Sequence, residues 1–478
     1  MKITAAELAK AMDAEILCGD AERTVERWSF SSKDGDERTM FLPIRGERVD
    51  AHEYIRDAYL HGMRVTATER DRAEEGTEDM VYLHVRDTRD AWQRFGQEIR
   101  KTHSDIPMVS VTGSVGKTTT KEMLAAALKP MGTVLKTDGN RNGQLGVPQM
   151  MTELCDRPDC AVIEMGMSMK GEMARIAEVA RPDFAVITNI GMSHIGNLGS
   201  QEAIRREKLC IVNRLSRDGI LFVNGDDPRL RVLCPSCPDF AGYDTVEMYP
   251  ETAERMRTLQ VRAYGAEDWC EYRYEQETVR EEESSFRYCH DGRSVSVVLS
   301  VSGHHNVTNA TAAIAVAEAM GLTAESAAEA LRDYHTMAMR GTKEILKNGT
   351  VLIDDTYNAS PDSMKSGLEL LCGITAKRHI AMLADILELG EHSEACHRLV
   401  GRYVCDKSVD LLITVGTDAK WIADEVRTTR PSIEVMAFDT REDGCRYLLD
   451  TVREGDAVLL KGSRGMGLDT VAKALRDL

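Results

Sequence analysis

A β-branched run that breaks at two glycines and leads straight into a lysine and three threonines constrains this chain more than any other feature. Met108-Val-Ser-Val-Thr112 reads as a buried strand. The chain turns at Gly113 and Gly116, and Lys117 and Thr118 open the apolar-periodic helix Lys121-Glu-Met-Leu-Ala-Ala-Ala-Leu128. Glycine lets backbone N–H groups crowd an anion, and a helix N-terminus favours negative charge. This pattern predicts a phosphate cradle made of Gly113, Ser114, Val115, Gly116, Lys117, Thr118 and Thr119. Lys117 can reach the outer phosphates, and a hydroxyl from Thr118 or Thr119 can ligate Mg²⁺. The spacing departs from the common GxxxxGK[ST], because Val111 stands five before Gly116. A glycine-rich turn can also be only a turn.

At 478 residues the chain has room for about three domains of ordinary size. Its 42% hydrophobic content can fill several cores. Sixty Lys and Arg against 78 Asp and Glu give a net charge of −18, without a block of like charge. That argues against DNA or RNA as a partner and for a soluble protein whose positive groups are local. Met1 to Lys10 reads as a charged amphipathic helix, not a signal peptide, and no run approaches the roughly 18 apolar residues of a membrane span. The expectation is a cytoplasmic monomer. Twelve cysteines are scattered without a framework, several inside apolar segments (Cys160, Cys210, Cys372, Cys405), and read as reduced core residues. Cys234 and Cys237 form a CxxC, but no second pair stands at zinc spacing.

The fold class is α/β in three domains: a small mixed α/β domain over 1–104, a central phosphate-loop domain over 105–322 and a Rossmann-like doubly wound domain over 323–478. The first boundary falls in the polar stretch His103-Ser-Asp-Ile-Pro107. Beyond it, strands at Ala161–Met165, Phe184–Thr188 and Ile220–Val223 alternate with helices over Gly171–Ala180 and Ala203–Leu215, which predicts a largely parallel sheet. Between about 230 and 300, short alternating pieces such as Tyr272–Tyr274 and Ser294–Leu299 look antiparallel and suggest a small side sheet. An Ala-rich helix, Asn306–Met320, follows. Alternation then restarts with strands at Val351–Ile353, His379–Leu383, Leu411–Val415, Ile433–Phe438 and Ala457–Leu460. No GxGxxG follows the first of these, so a nicotinamide site is not expected. Two tandem α/β units point to a ligand cleft between them.

Several polar residues sit where such folds place ligands. Glu164 ends a strand and can hold Mg²⁺ or cap the next loop. His194 lies in the loop Gly191-Met-Ser-His-Ile, and Lys208 lies on a helix; alone, either could be a surface residue. Asn306 and Asn309 share a face at a helix start, where an amide can cap the helix or pair with a purine edge. Arg340 could reach a γ-phosphate across the cleft, and Asp355, in Asp354-Asp-Thr-Tyr-Asn-Ala-Ser-Pro361, could hold a ribose.

Taken in order, TGSVGKTTT, GNRNGQLGVP (139–148), AVIEMGMSMKGE (161–172), RPDFAVITNIGMSHI (181–195), GHHNVTNATAAIAVA (303–317), MRG (339–341), DDTYNASPDSM (354–364), LADILELG (383–390) and KGSRGMG (461–467) resemble the Mur ligase family of cell-wall peptide synthetases. The last three segments look like the dipeptide-adding branch. The resemblance implies an ATP-dependent ligase that joins D-alanyl-D-alanine to UDP-N-acetylmuramoyl-tripeptide through an acyl phosphate, in peptidoglycan synthesis and thus cell shape and division. It implies that Gly113 to Thr119 bind ATP, with Lys117 on the γ-phosphate. Thr118 and Glu164 would hold one Mg²⁺, and His194 and Lys208 a second, Lys208 being carbamylated. Asn309 would read adenine, and Arg340 and Asp355 would contact nucleotide from the C-terminal side. The N-terminal domain would take the uridine end. There, Phe30-Ser-Ser-Lys33 replaces an Asp-Ser-Arg pattern, and Val49-Asp-Ala-His52 stands near an Asp-Gly-His pattern. Asn358-Ala-Ser-Pro361 replaces Asn-Ala-Asn-Pro, and Gly143 stands where a second Asn is usual. A single-amino-acid-adding sister, a folate polyglutamylating relative and a non-catalytic nucleotide-binding scaffold are the alternatives.

Overall fold

The computed structural model describes residues 1–46 and 48–478. The chain opens on a short strand, Ile3–Thr4, and the helix Ala5–Met12 begins only where Thr4 and Glu7 form a reciprocal capping box. A five-stranded sheet follows in the order Glu15–Cys18, Val81–His84, Val65–Thr68, Thr39–Phe41, Arg27–Ser29. Its first pair is antiparallel and the rest are parallel. The helix Thr88–Thr102, capped by Asp87, carries Trp92, Phe95 and Ile99 on its buried face. Trp92 Nε1 donates to the Leu145 carbonyl at 3.0 Å, so this helix is seated on the next unit.

The central sheet has nine strands, in the order Arg293–Leu299, Ser284–His290, Tyr272–Val279, Gln260–Gly265, Ile220–Asn224, Phe184–Ile187, Met108–Thr112, Cys160–Glu164, Val134–Lys136. The strands expected to form a small antiparallel side sheet are antiparallel to one another but belong to this sheet. Tyr272–Val279 pairs in parallel with Gln260–Gly265, and the two antiparallel strands after it extend the same sheet. The reason is burial: Tyr272, Tyr274, Phe286, Tyr288, Val297 and Leu299 present one apolar face that packs under the Ala-rich helix His304–Ala319. The helix expected over Ala203–Leu215 runs from Gln201 to Leu209 and tightens into a 3₁₀ turn at Cys210–Arg214, which turns Ile211 and Val212 into the core.

The C-terminal sheet runs Thr342–Ile345, Val351–Asp355, Asp456–Lys461, Arg378–Ala384, Leu411–Val415, Glu434–Phe438, parallel after its first, antiparallel pair. One continuous apolar core links the three large sheets. Among the described residues no helix is long and apolar enough to cross a membrane.

In the central sheet, Met108–Thr112 lies between Phe184–Ile187 and Cys160–Glu164, so the chain leaves it in one direction along the sheet and returns on the other side. This is the topological switch point at which open α/β sheets bind ligands beyond their strand ends. The glycine turn starts there.

Candidate active site

The turn after Met108–Thr112 is held open by its neighbours. Gly113 has φ +153°, and a Cβ there would fall 1.8 Å from Thr188 Oγ1, so no side chain fits. Thr188 Oγ1 donates to the Val115 carbonyl at 2.6 Å. Asn189 brackets the same residue, accepting from Val115 N at 2.9 Å and donating to its carbonyl at 3.0 Å. Gly191 N donates to Ser114 Oγ at 2.8 Å. Gly116, with φ +84°, caps the helix Lys117–Ala127 without a side chain, leaving its first N–H groups directed at the cleft. Lys117 folds back to donate to the Gly113 carbonyl at 2.9 Å, and burial lowers its pKa.

Beside the loop, Thr118 Oγ1 donates to Glu164 Oε2 at 2.9 Å, and Asn142 Nδ2 donates to Glu164 Oε1 at 2.7 Å. Glu164 is buried at the end of its strand, with its backbone N–H on Thr137 Oγ1. A hydroxyl and a carboxylate side by side are hard oxygen donors of the kind Mg²⁺ takes, with phosphate oxygens and water completing its shell. Among the described residues no three His, Cys, Asp or Glu side chains converge as a metal cage, so an ion here depends on those further oxygens.

Lys208 does not line the cleft. It is buried beneath the loop and donates to the Gly113 carbonyl at 3.0 Å. Burial, and then the charge of Lys117, push its pKa well below the ordinary lysine value. An ammonium at this position does not suit a cation site, whereas its CO₂ adduct, an anionic oxygen donor, does. The adjacent Glu207 turns away to accept from Gly171 N and Met173 N. His194, at φ +64°, lines the cleft with Nδ1 2.5 Å from Glu388 Oε2, and this contact holds the Glu388 carboxyl below the usual glutamate range.

The cleft encloses about 790 Å³ and takes residues from both α/β units and Arg89 from the N-terminal one. Ser114 to Thr119, Glu164, His194, Asn309, Arg340 and Asp355 all line it. Gly113 and Lys208 sit underneath. The Asn309 amide lies against Gly116, where an added Cβ would meet Oδ1 at 3.4 Å, so this residue is next to the phosphate loop. Asn306 Nδ2 instead donates to the Ser302 carbonyl at 2.7 Å, tying the first turn of the helix to the residues before it. Arg340 stacks on the Tyr357 ring at 4.1 Å, and Asp355 pairs with the buried Lys461 at 2.5 Å. Sequence reasoning did not single out Asn142, Thr188, Asn189, Lys461 or Glu388. All five stand in quoted motif segments, but nothing local marks whom they meet. A second cleft of about 510 Å³ in the N-terminal unit is lined by Phe30, Ser31, Ser32, Lys33, Tyr54 and Asp57, with Ser32 Oγ donating to Asp57 at 2.6 Å.

A phosphate loop at a switch point, facing a second α/β lobe, is the architecture of the Mur ligases. Residues 111–317 match the Mur ligase middle domain and residues 337–464 the Mur ligase glutamate ligase domain. The chain belongs to this family. Within it, the chain is similar to the UDP-N-acetylmuramoyl-tripeptide–D-alanyl-D-alanine ligase of Bacillus subtilis, at 32% identity over 92% of this chain and 91% of that protein. Among solved structures it is similar to MurF from Acinetobacter baumannii (TM-score 0.88, 28% identity, 100% of this chain and 99% of that one). It is likewise similar to MurF ligase from Thermotoga maritima in complex with ADP (TM-score 0.80, 26% identity, 95% and 97%).

Proposed function

We propose that this chain is an ATP-dependent ligase that adds D-alanyl-D-alanine to UDP-N-acetylmuramoyl-tripeptide in peptidoglycan precursor synthesis. The observation that carries the reading is full-length likeness to ligases of that name, together with a phosphate loop that faces cations of a second lobe across one cleft.

In this reading a carboxylate oxygen of the tripeptide attacks the γ-phosphorus of ATP and ADP leaves. The resulting acyl phosphate is attacked at carbon by the dipeptide amine, which loses a proton as phosphate departs. Lys117 and Arg340 offset the charge that builds on the transferring group, a kind of contribution commonly worth several kcal/mol. Thr118 and Glu164 would hold one Mg²⁺, and His194 with a carbamylated Lys208 a second; such ions would supply Lewis-acid stabilisation of the charge on the transferring group. Burial supports the carbamate, since only an uncharged amine adds CO₂ and the site disfavours the ammonium. Asn309 and Asp355 contact nucleotide. Residues 1–104 bind the uridine end, the cleft at Phe30–Lys33 being the candidate pocket. Residues 105–322 bind ATP and 323–478 supply the closing lobe, which excludes water. The enzyme is read as a monomer that works in the cytoplasm, where ATP is at hand.

Phosphate release with UDP-N-acetylmuramoyl-tripeptide tests the reading. It should require D-alanyl-D-alanine, fail with single amino acids, and fall about 10²–10³-fold in Lys117→Ala. ATP turnover indifferent to the acceptor would overturn it.

A further inference from the structure

Glu388 belongs to the C-terminal lobe, in the loop after Arg378–Ala384, yet its side chain meets His194 of the central lobe. Further contacts flank the pair. Gly196 N donates to the Glu388 carbonyl at 3.1 Å, and His392 Nε2 lies 3.2 Å from the Gly199 carbonyl oxygen. Gly196 and Gly390 touch backbone to backbone, and a Cβ on Gly196 would fall 2.6 Å from Gly390 N. Only glycine allows two loops to approach this closely. His194 and Glu388 both hold left-handed backbone, at φ +64° and +63°, a conformation a non-glycine residue keeps only where its surroundings impose it. Two loops from different lobes are therefore held to one geometry at the edge of the cleft.

A carboxylate at Nδ1 takes that nitrogen's proton in a hydrogen bond and so leaves Nε2 unprotonated, with a lone pair to give. Pairs of this kind orient metal-binding imidazoles and raise their basicity. We propose that Glu388 is a positioning residue that the C-terminal lobe delivers to His194, fixing the imidazole in the tautomer and orientation that bind a divalent cation at Nε2. The inference rests on the reading of His194 as a metal ligand. Because the partners ride on different lobes, a bound ion and a closed interface favour one another.

The test is an electron-paramagnetic-resonance titration of the full-length protein with Mn²⁺ in the presence of a non-hydrolysable ATP analogue, comparing wild type, Glu388→Ala, Glu388→Gln and His194→Ala. Glu388→Ala should weaken about 10–100-fold the Mn²⁺ site that His194→Ala also weakens. Glu388→Gln, whose amide oxygen can still accept from Nδ1, should fall between it and wild type. In phosphate release, the Mg²⁺ concentration for half-maximal rate should rise by more than kcat falls. If His194→Ala weakens Mn²⁺ binding and neither Glu388 variant does, the positioning role is overturned and His194 remains a ligand. If His194→Ala also binds Mn²⁺ as wild type does, both the positioning role and the ligand reading fall.

Discussion

Lys208 Nζ donates to the carbonyl oxygen of Gly113 across 3.0 Å, from below the phosphate loop. Lys117 donates to the same oxygen at 2.9 Å from the cleft side. Two amines thus share one acceptor in a largely water-free setting, where two ammonium ions would repel each other. Burial lowers the pKa of both, and the more deeply buried Lys208 is driven further toward its neutral form.

Stability should therefore change with pH in a direction set by Lys208. In bicarbonate-free buffer the unfolded state keeps this lysine protonated up to about pH 10.4, while the folded state releases the proton at lower pH. Stability rises with pH between the depressed folded value and that of the unfolded chain, and below the folded value the penalty is fully present. Lys208→Met removes this slope. Thermal melts of both proteins across neutral to alkaline pH measure it.

Activity should report on the same amine differently. Lys208→Ala is expected to lose most phosphate release, and acetate or propionate should restore part of it by filling the space with an anionic oxygen donor. Wild-type turnover in the variant, with no response to carboxylates, would reject the ligand role.

Gly113→Ala should distort the phosphate loop, because its Cβ would collide with Thr188 Oγ1, which anchors Val115. Overpacking of this kind costs about 1–3 kcal/mol. Calorimetric ADP binding is expected to weaken at least as much as the melting point suggests, since the strained segment is itself the binding surface.

Lys461 and Asp355 form an ion pair in which the lysine is 2% exposed and the carboxylate 20%. Lys461→Met strands that carboxylate and should lower stability by about 3 kcal/mol, at the lower end for a broken buried pair because Asp355 is partly wet. Lys461→Met combined with Asp355→Leu should recover much of the urea midpoint. A double variant no more stable than the single one would count against the pair.

Trp92→Ala should cost about 3–5 kcal/mol. The ring is fully buried among Trp28, Phe30 and Phe95, and its Nε1–H anchors the first unit to the Leu145 carbonyl. Far-ultraviolet circular dichroism during urea denaturation of both proteins measures it, since the variant lacks this fluorophore.

Much of the fold was legible because its signals are local. The strand, glycine turn and helix opening over 108–128 are legible from spacing alone, and strands such as Leu411–Val415 are apolar runs bounded by turns. The strands from Tyr272 onward are antiparallel to one another as expected but belong to the central sheet, because alternation reveals a strand and not the sheet it joins. That depended on their aromatic face meeting the helix His304–Ala319.

The candidate site divides in the same way. Glu164 and Asp355 were conspicuous as carboxylates at strand ends. Glu388 was not, since its importance lies in meeting a histidine 194 positions earlier. The partner of Asp355, Lys461, lies 106 positions later.

The sequence alone determined what is set within a turn or two of chain: the phosphate loop, the helix caps, the strand periods and the order of the motifs. Only the tertiary structure decided which charges share a carbonyl, which carboxylate orients which imidazole, and which lobes face one cleft. The physical reason is range. Backbone preferences act over a few neighbouring residues, whereas a hydrogen bond acts over about 3 Å of space and takes no account of how much chain separates its partners.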